Sequence, residues 1–171
     1  KARKLEFYRQ LATKDMLTDM YNRNSYDEWV KENVQMPGTL IITFDLNNLK
    51  YCNDTLGHAI GDDYIKNAAG IIAEIFGNFG NCYRIGGDEF CVILEKTNAV
   101  EIHQILDSLE RKINVYNEKN NIKISYAKGC EISTREHYYL MEELTKRADS
   151  RMYENKRLMK GKRLDGRRLN V

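Results

Sequence analysis

YRIGGDEFCVIL, residues 83–94, places two glycines and two carboxylates between runs of strand-forming residues. Gly86 and Gly87 can adopt positive φ angles, so the stretch predicts a β-hairpin that reverses at these two residues. On the simplest interpretation, the charged side chains near the turn only face water: Arg84, Asp88 and Glu89. The alternative is that the turn presents its two carboxylates to a ligand. The rest of the sequence has to decide between these interpretations.

The segments on either side of the hairpin predict further strands and helices. The run TLIITFDLNN (39–48) is apolar up to its carboxylate, which is typical of a strand buried on both faces. Apolar residues at helical spacing predict helices at 59–76 and 98–119, and the alternation in IKISYAKGC (122–130) predicts a strand. A short helix near 25–33 precedes them, and a terminal helix carries Leu140, Leu144, Ala148 and Met152.

The predicted order is strand, helix, strand, strand, helix, strand and a terminal helix. It indicates an α+β fold of the ferredoxin-like (split βαβ) type, in which helices pack on one face of an antiparallel sheet and the first strand lies beside the hairpin. The end of the first strand would then bring Asp45 close to Asp88. Two adjacent carboxylates need a cation between them or a raised pKa on one of them. Hard oxygen ligands of this kind favour Mg²⁺.

The composition is that of an ordinary globular domain. The chain has 171 residues, of which 42% are hydrophobic and 30% charged, and this suits one domain. Its net charge of +2 argues against general nucleic-acid binding. No run approaches the ~20 apolar residues of a membrane span, so we expect no signal peptide and no membrane contact. Four cysteines without a CxxC pair indicate reduced thiols in a cytoplasmic protein, rather than disulfides or zinc.

The two ends of the chain have distinct patterns. The chain opens at Lys1 without an initiator methionine, which suggests a piece of a longer protein. We interpret residues 1–13 as the end of an upstream linker helix whose apolar stripe contains Leu5, Tyr8, Leu11 and Ala12. From Lys156 onward the chain is strongly basic. This indicates either a solvated helix end or the capture of phosphate.

The segment DLNNLKYCNDTLGHAIGDDYI (45–65) concentrates polar side chains after the first strand. Lys50 follows closely enough to reach the same region. An aspartate can accept hydrogen bonds from N1–H and the exocyclic amine of guanine, whereas adenine has no donor at N1, so such a site rewards guanine. Structural roles are also open: a helix cap for Asn53, a structural hydrogen bond for His58 and a helix N-terminus for Asp62.

Four separated stretches together resemble the GGDEF-domain diguanylate cyclases, from about residue 14 to 164. In chain order they are DMLTDMYNRN (15–24), the polar segment 45–65, YRIGGDEF (83–90) and KRADSRMYENK (146–156). The resemblance implies a nucleotidyl-cyclase or palm-like form of the split βαβ fold. It divides the chain into a linker helix at 1–13 and a GGDEF domain at 14–171.

The resemblance implies that two GTP molecules condense to cyclic di-GMP with release of two pyrophosphates. Each subunit of a homodimer would hold one GTP, and an upstream sensory domain would belong to the full-length protein. The cofactor would be Mg²⁺, with Mn²⁺ able to replace it. Asp45, Asp88 and the main-chain carbonyl of Leu46 would bind this metal. Asp88 would also accept the proton of the 3′-hydroxyl, with Glu89 as a second candidate.

The same resemblance assigns the substrate contacts. Lys50 would steady charge on the phosphates in the transition state, and Lys156 would reach the phosphates. Asn53, His58 and Asp62 would hold the nucleotide, with Asn53 and Asp62 on the guanine.

The sequence departs from the family pattern in three places. Asn47 and Leu49 stand where the family commonly has Asp and an aromatic residue. The window GNFG (77–80) lacks the RxxD motif of the product-inhibition site, so we expect that site to be missing. The last basic residue that the family places near the phosphates has three candidates here: Lys160, Lys162 and Arg163.

Two other functions fit the same motifs. A catalytically silent GGDEF module could bind GTP or cyclic di-GMP and signal by protein contact, but the intact signature at 86–90 argues against it. A cyclase of mixed specificity could make a hybrid GMP–AMP product, but Asp62 as the reader of guanine argues against that. We therefore expect a diguanylate cyclase.

Overall fold

The computed structural model describes residues 2–32 and 37–168, and this part of the chain contains six helices and four strands. In chain order they are α1 (Ala2–Thr13), α2 (Arg23–Glu32), β1 (Leu40–Leu46), α3 (Leu49–Leu56), α4 (His58–Phe76), β2 (Gly80–Arg84), β3 (Glu89–Leu94), α5 (Ala99–Lys119), β4 (Tyr126–Ile132) and α6 (Met141–Arg168). None of the helices described is long and apolar enough to cross a membrane.

The strands form one antiparallel sheet in the order β2-β3-β1-β4. This confirms the predicted α+β split βαβ fold with the first strand beside the hairpin. All of β1 is buried, because helices cover both faces of the sheet. Phe44 faces the core under α4 and α5, whereas Ile41 packs in the core formed with α2 and α6. The expectation that helices cover only one face was therefore wrong in this detail.

Local sequence signals set the main helices. The side chain of Asn98 accepts hydrogen bonds from the N–H groups of Val100 and Glu101 at 3.0 Å, and the Glu101 carboxylate accepts the Asn98 N–H at 3.1 Å. This capping box begins α5. α4 buries an apolar stripe at helical spacing against the sheet: Tyr64, Ile65, Ala68, Ile72 and Phe76.

Two local predictions differ from the structure. β4 begins at Tyr126, because the side chain of Asn117 holds Ile124 outside the ladder, accepting its N–H at 2.7 Å and donating to its carbonyl at 2.9 Å. The sequence analysis also missed α3, whose interior contains Asn53. The alternative role of Asn53 as a helix cap was therefore wrong. Gly57 separates α3 from α4 with a φ of 90°, which glycine tolerates best.

The hydroxyl of Tyr64 fixes the end of β1 to the segment before β4. It lies 3.0 Å from the carbonyl of Asn47 and 3.1 Å from that of Ser125, to either of which it can donate, and it accepts the Ser125 N–H at 3.2 Å. The N–H of Asn47 donates to the same Ser125 carbonyl at 2.8 Å. These bonds hold the chain in place where it leaves the buried strand.

We expect Tyr64→Phe to lower the free energy of unfolding by about 1 kcal/mol, because partly buried backbone groups lose a hydrogen-bond partner. Urea denaturation of the full chain measures the change. Tyr51→Phe is the matched control, since Tyr51 is exposed on α3, and it should leave the midpoint unchanged. Equal unfolding free energies for both variants would contradict the role of the Tyr64 hydroxyl.

Candidate functional site

The end of β1 and the turn between β2 and β3 meet at one end of the sheet. Asp45 is the partner of Glu89 in the register of β1 and β3. The N–H of Leu46 donates to the carbonyl of Asp88 at 2.8 Å. The carboxylate at the end of β1 and the carboxylates of the turn therefore lie on neighbouring, hydrogen-bonded segments.

The turn is built around the backbone and side chain of Glu89. The N–H groups of Ile85 and Gly86 both donate to the Glu89 carbonyl, at 3.0 and 3.3 Å. Neither glycine of the turn has a positive φ, so the predicted reason for the glycine pair was wrong. A Cβ atom on Gly86 would lie only 2.6 Å from Oε2 of Glu89. Gly86 therefore leaves the space that the Glu89 side chain occupies.

Arg84 does not face water as the simplest interpretation of the hairpin held. Its side chain is only 14% exposed. One guanidinium nitrogen lies 3.1 and 3.2 Å from the two carboxylate oxygens of Asp15, and the other donates to the Gly87 carbonyl at 2.9 Å. Asp15 also accepts the N–H of Thr18 at 3.0 Å and its hydroxyl at 2.7 Å. Arg84 thus ties the turn to the segment that follows α1.

These contacts change the ionisation of Asp15. Burial by itself raises the pKa of this carboxyl group, but the hydrogen bonds from Thr18 and Arg84 and the charge of Arg84 outweigh it, so the pKa lies below its ordinary value of 3.8. Sequence reasoning placed Asp15 in a matching motif without finding its partner. A salt bridge between residues so far apart in the chain leaves no local pattern.

Lys156 of α6 contacts Asp45 directly. Its Nζ lies 2.6 Å from both Oδ1 and Oδ2 of Asp45, whose side chain is 9% exposed. A cavity of about 210 Å³ adjoins this ion pair, and its lining includes Leu46, Lys50, Asp88, Lys156 and Lys160. The cavity therefore brings two metal-ligand candidates together with three cations. This combination suits a phosphate-bearing ligand.

The oxygen atoms at this cavity fit Mg²⁺. In the part of the chain that is described, no group of three or more His, Cys, Asp or Glu residues could hold a metal by itself. Mg²⁺ usually takes one or two carboxylates and completes its octahedron with water and substrate phosphates. Asp45, Asp88 and the Leu46 carbonyl supply such a partial set.

Asn47, one of the departures from the family pattern, lines the cavity. Nδ2 of Asn47 donates to Oγ of Ser125 at 2.9 Å and lies 3.7 Å from Sδ of Met159 on α6. An amide donor at this position therefore links the end of β1 to the terminal helix. Of the three basic candidates on that helix, Lys160 lines the cavity, whereas the side chains of Lys162 and Arg163 lie outside the described residues.

The predicted nucleotide contacts lie at the junction of α3 and α4. Lys50 and Asn53 are three residues apart on α3, so both lie on the same side of this helix. Asn53 also packs against Gly61, where a Cβ atom would collide with its side chain. His58 and Asp62 are exposed and lie one turn apart at the start of α4. Neither of them lines the cavity beside Asp45.

Glu89 lies at a second and larger cavity, of about 570 Å³, on the α6 side of the sheet. Arg23, Thr43, Asp149 and Tyr153 also line it. Burial and the nearby charges of Asp45, Asp88 and Asp149 raise the pKa of Glu89, and burial raises that of Asp149. Sequence reasoning did not select Arg23 or Asp149, although both lie in the matching motifs.

Comparison with known proteins gives consistent results. Residues 12–162 match the family described as diguanylate cyclase, GGDEF domain. The chain is 31% identical over 145 residues to the probable diguanylate cyclase DgcI of Escherichia coli, which covers 84% of this chain and 31% of DgcI. It is also 31% identical over 110 residues to the cyclic di-GMP phosphodiesterase NbdA of Pseudomonas aeruginosa, which covers 61% of this chain and 14% of NbdA. The chain thus spans less than a third of either relative.

A solved structure shows the same fold. The coiled coil and GGDEF domain of DgcB from Caulobacter crescentus, in complex with c-di-GMP, has a TM-score of 0.79 to this chain at 23% identity. The similarity covers 91% of this chain and 86% of that one.

We expect Arg84→Gln to lower the free energy of unfolding by about 2 kcal/mol at pH 7, because a largely buried ion pair loses its cation. The pKa of Asp15 is depressed in the folded protein, so its contribution is complete above the ordinary value of 3.8 and is lost as the pH falls through the folded-state value. The difference between the two proteins should therefore shrink below pH 3.8.

Chemical denaturation at pH 7, 5 and 3 measures this dependence. Lys112→Gln is the matched control, because Lys112 forms a single exposed ion pair with Glu74 and should change stability little. A difference for Arg84→Gln that stays constant from pH 7 to pH 3 would contradict the assigned pairing.

Proposed function

Since the chain belongs to the GGDEF domain family of diguanylate cyclases, we propose that it condenses two GTP molecules into cyclic di-GMP with release of two pyrophosphates. One observation carries this proposal: the register of β1 and β3 brings Asp45, the Leu46 carbonyl and Asp88 together beside a cavity with three lysines. Incubation of the full chain with GTP and Mg²⁺, followed by mass spectrometry of the products, tests it.

The residues at the cavity have different roles in phosphoryl transfer. Asp45, Asp88 and the Leu46 carbonyl would hold Mg²⁺ or Mn²⁺, which when bound polarises the α-phosphate and lowers the pKa of the attacking hydroxyl. Lys50 and Lys156 neutralise the charge of the triphosphate.

Two carboxylates can receive the proton of the 3′-hydroxyl. Asp88 lies in the turn beside β1 and is the first candidate. Glu89 is the second, because it follows Asp88 in the turn and is the partner of Asp45 in the register of β1 and β3.

The α3–α4 junction would bind the guanosine. Asn53 and Asp62 contact the guanine, and His58 contacts the nucleotide beside them. An aspartate that accepts from two guanine donors leaves an unpaired group when adenine binds, and this disfavours ATP and a mixed GMP–AMP product. Exposure of His58 and Asp62 supports their availability to a ligand.

Catalysis would require two copies of the domain, since one subunit holds only one of the two reacting nucleotides. We assign α1 to the end of a linker helix from an upstream sensory domain, within a cytoplasmic part of a longer protein where GTP is available. Phe7, Tyr8 and Leu11 are exposed on α1 and could pack against a second helix. The side chain of Leu5, from the same predicted stripe, lies outside the described residues.

A silent module that binds GTP or cyclic di-GMP is the second candidate. It is favoured by the similarity to NbdA, a phosphodiesterase with a matching region. The two candidates differ in turnover, because a silent module would bind nucleotide under the assay conditions without forming product.

We expect Asp88→Asn to reduce cyclic di-GMP formation by a factor of about 10²–10³ or more, because the transition state loses a charged metal ligand. Product formation at saturating GTP measures it, and thermal unfolding checks the fold. Asp63→Asn is the matched control, since Asp63 is exposed on α4 and pairs only with Lys66 among the ion pairs described. A folded Asp88→Asn variant with normal turnover would remove Asp88 from the mechanism.

Specific activity should rise with protein concentration, because each active unit needs two subunits. Initial rates measured from dilute to concentrated protein, together with light scattering, give this dependence. A strong dimerisation helix fused before α1 should remove it. Constant activity per subunit in a protein that stays monomeric would overturn the two-subunit mechanism.

Cyclic di-GMP should inhibit weakly and in competition with GTP. The window at 77–80 lacks the arginine that would bind phosphate in a bidentate way, and exposed Phe79 borders a cavity with two carboxylates, Glu95 and Glu101. Inhibition kinetics with the unmodified protein and with Asp62→Ala test this. Tight, non-competitive inhibition that persists in Asp62→Ala would mean that another surface binds the product.

A further inference from the structure

Lys156 contacts both carboxylate oxygens of Asp45, one of the residues proposed to bind the metal. Nζ of Lys156 lies 2.6 Å from each of the two Asp45 oxygens. The Asp45 side chain is 9% exposed and the Lys156 side chain 27%. A carboxylate this buried requires a cation, and the ammonium group of Lys156 supplies it.

A divalent cation and the ammonium group cannot both bind Asp45 in this way. The cation would need at least one of the two oxygens that Nζ now contacts, and two positive charges at such a distance repel each other strongly where water is scarce. A divalent cation bound at Asp45 should therefore weaken or displace the contact with Lys156.

The cavity offers Lys156 a second position. Lys156 lines it together with Lys50 and Lys160, and a triphosphate there would attract all three ammonium groups. The long and flexible stem of lysine lets its charge move between neighbouring anions.

We propose that Lys156 exchanges Asp45 for the triphosphate when nucleotide and metal bind. It neutralises Asp45 when no nucleotide is bound, and it moves onto the triphosphate when GTP enters, which frees Asp45 for the divalent cation. Nucleotide and metal then bind cooperatively, and metal alone binds weakly. This inference rests on the proposed GTP site but not on turnover.

Lys160 provides the contrast that the test needs. It lines the same cavity as Lys156, and no ion pair of Lys160 occurs among the described residues. Removing Lys160 takes one positive charge from the cavity but leaves Asp45 paired with Lys156.

The experiment measures Mn²⁺ binding by electron paramagnetic resonance, with and without α,β-methylene-GTP, which cannot release pyrophosphate. In the unmodified chain the analogue should strengthen Mn²⁺ binding about tenfold or more beyond the Mn²⁺ that the same concentration of analogue binds without protein. Lys156→Met should bind Mn²⁺ about tenfold more tightly than the unmodified chain without nucleotide, and should lose most of the coupling. In the absence of nucleotide, Lys160→Met should bind Mn²⁺ with about the same affinity as the unmodified chain.

Thermal unfolding gives an independent measurement. Lys156→Met leaves the buried Asp45 carboxylate unpaired, so this variant should unfold at a lower temperature, and Mn²⁺ alone should restore much of the loss. Replacing Asp45 with Asn in the Lys156→Met background should abolish both the restoration and the gained Mn²⁺ binding. That result would locate the metal at Asp45.

Equal Mn²⁺ affinity of the unmodified chain with and without the analogue would overturn the exchange, and so would unchanged Mn²⁺ affinity in folded Lys156→Met. If Lys156→Met fails to fold, Lys156→Gln takes its place in the same measurements. The proposed function is tested separately. A chain that shows the coupling but forms no cyclic di-GMP would support the exchange and contradict the cyclase activity.

Discussion

The antiparallel pairing of β1 with β3 is the constraint on which the site depends. Asp45 is the partner of Glu89 in that register, and the Leu46 N–H donates to the Asp88 carbonyl at 2.8 Å. A shift of the register by one residue would turn Asp45 into the opposite core and move an apolar side chain into the site. The buried Asp45 carboxylate opposes such a shift, because the shift would place it among apolar side chains and away from Lys156. The burial of β1 therefore stabilises the fold and sets the position of the carboxylates at the same time.

The buried carboxylate at the end of β1 explains much of what surrounds it. Asp45 requires a positive partner, and α6 supplies Lys156 from the helix that covers the second face of the sheet. The turn on its other side is held by Arg84, which joins the Gly87 carbonyl to Asp15. Lys156 thus pairs with the carboxylate at the end of β1, and Arg84 ties the neighbouring turn to Asp15.

The sequence predicted the fold well where residues repeat with a clear period. β1, α4 and α5 have strong apolar patterns, and the glycine pair with its flanking strands indicated the hairpin. α3 escaped prediction because its eight residues form only about two turns and follow a residue, Asn48, with a φ of 65°. The alternation of residues before β4 predicts a strand, but the side chain of Asn117 takes the backbone hydrogen bonds of Ile124 that a neighbouring strand would otherwise make.

The candidate site could be predicted only in part, for a similar physical reason. Side chains near the two strand ends were selected because the topology brings those ends together. The contacts of Arg84 with Asp15 and of Lys156 with Asp45 join residues 69 and 111 positions apart. No local pattern in a single sequence encodes such a pair. The same holds for Asp149. It lines the larger cavity together with Glu89 because α6 crosses the second face of the sheet.

The most direct test of this account is a crystal structure of the chain with Mg²⁺ and α,β-methylene-GTP. We expect electron density for a cation that contacts carboxylate oxygens of Asp45 and Asp88 and the carbonyl oxygen of Leu46, with Lys156 on the phosphates and the guanine at Asp62. A nucleotide bound elsewhere, or bound at the cavity with no cation between Asp45 and Asp88, would contradict it.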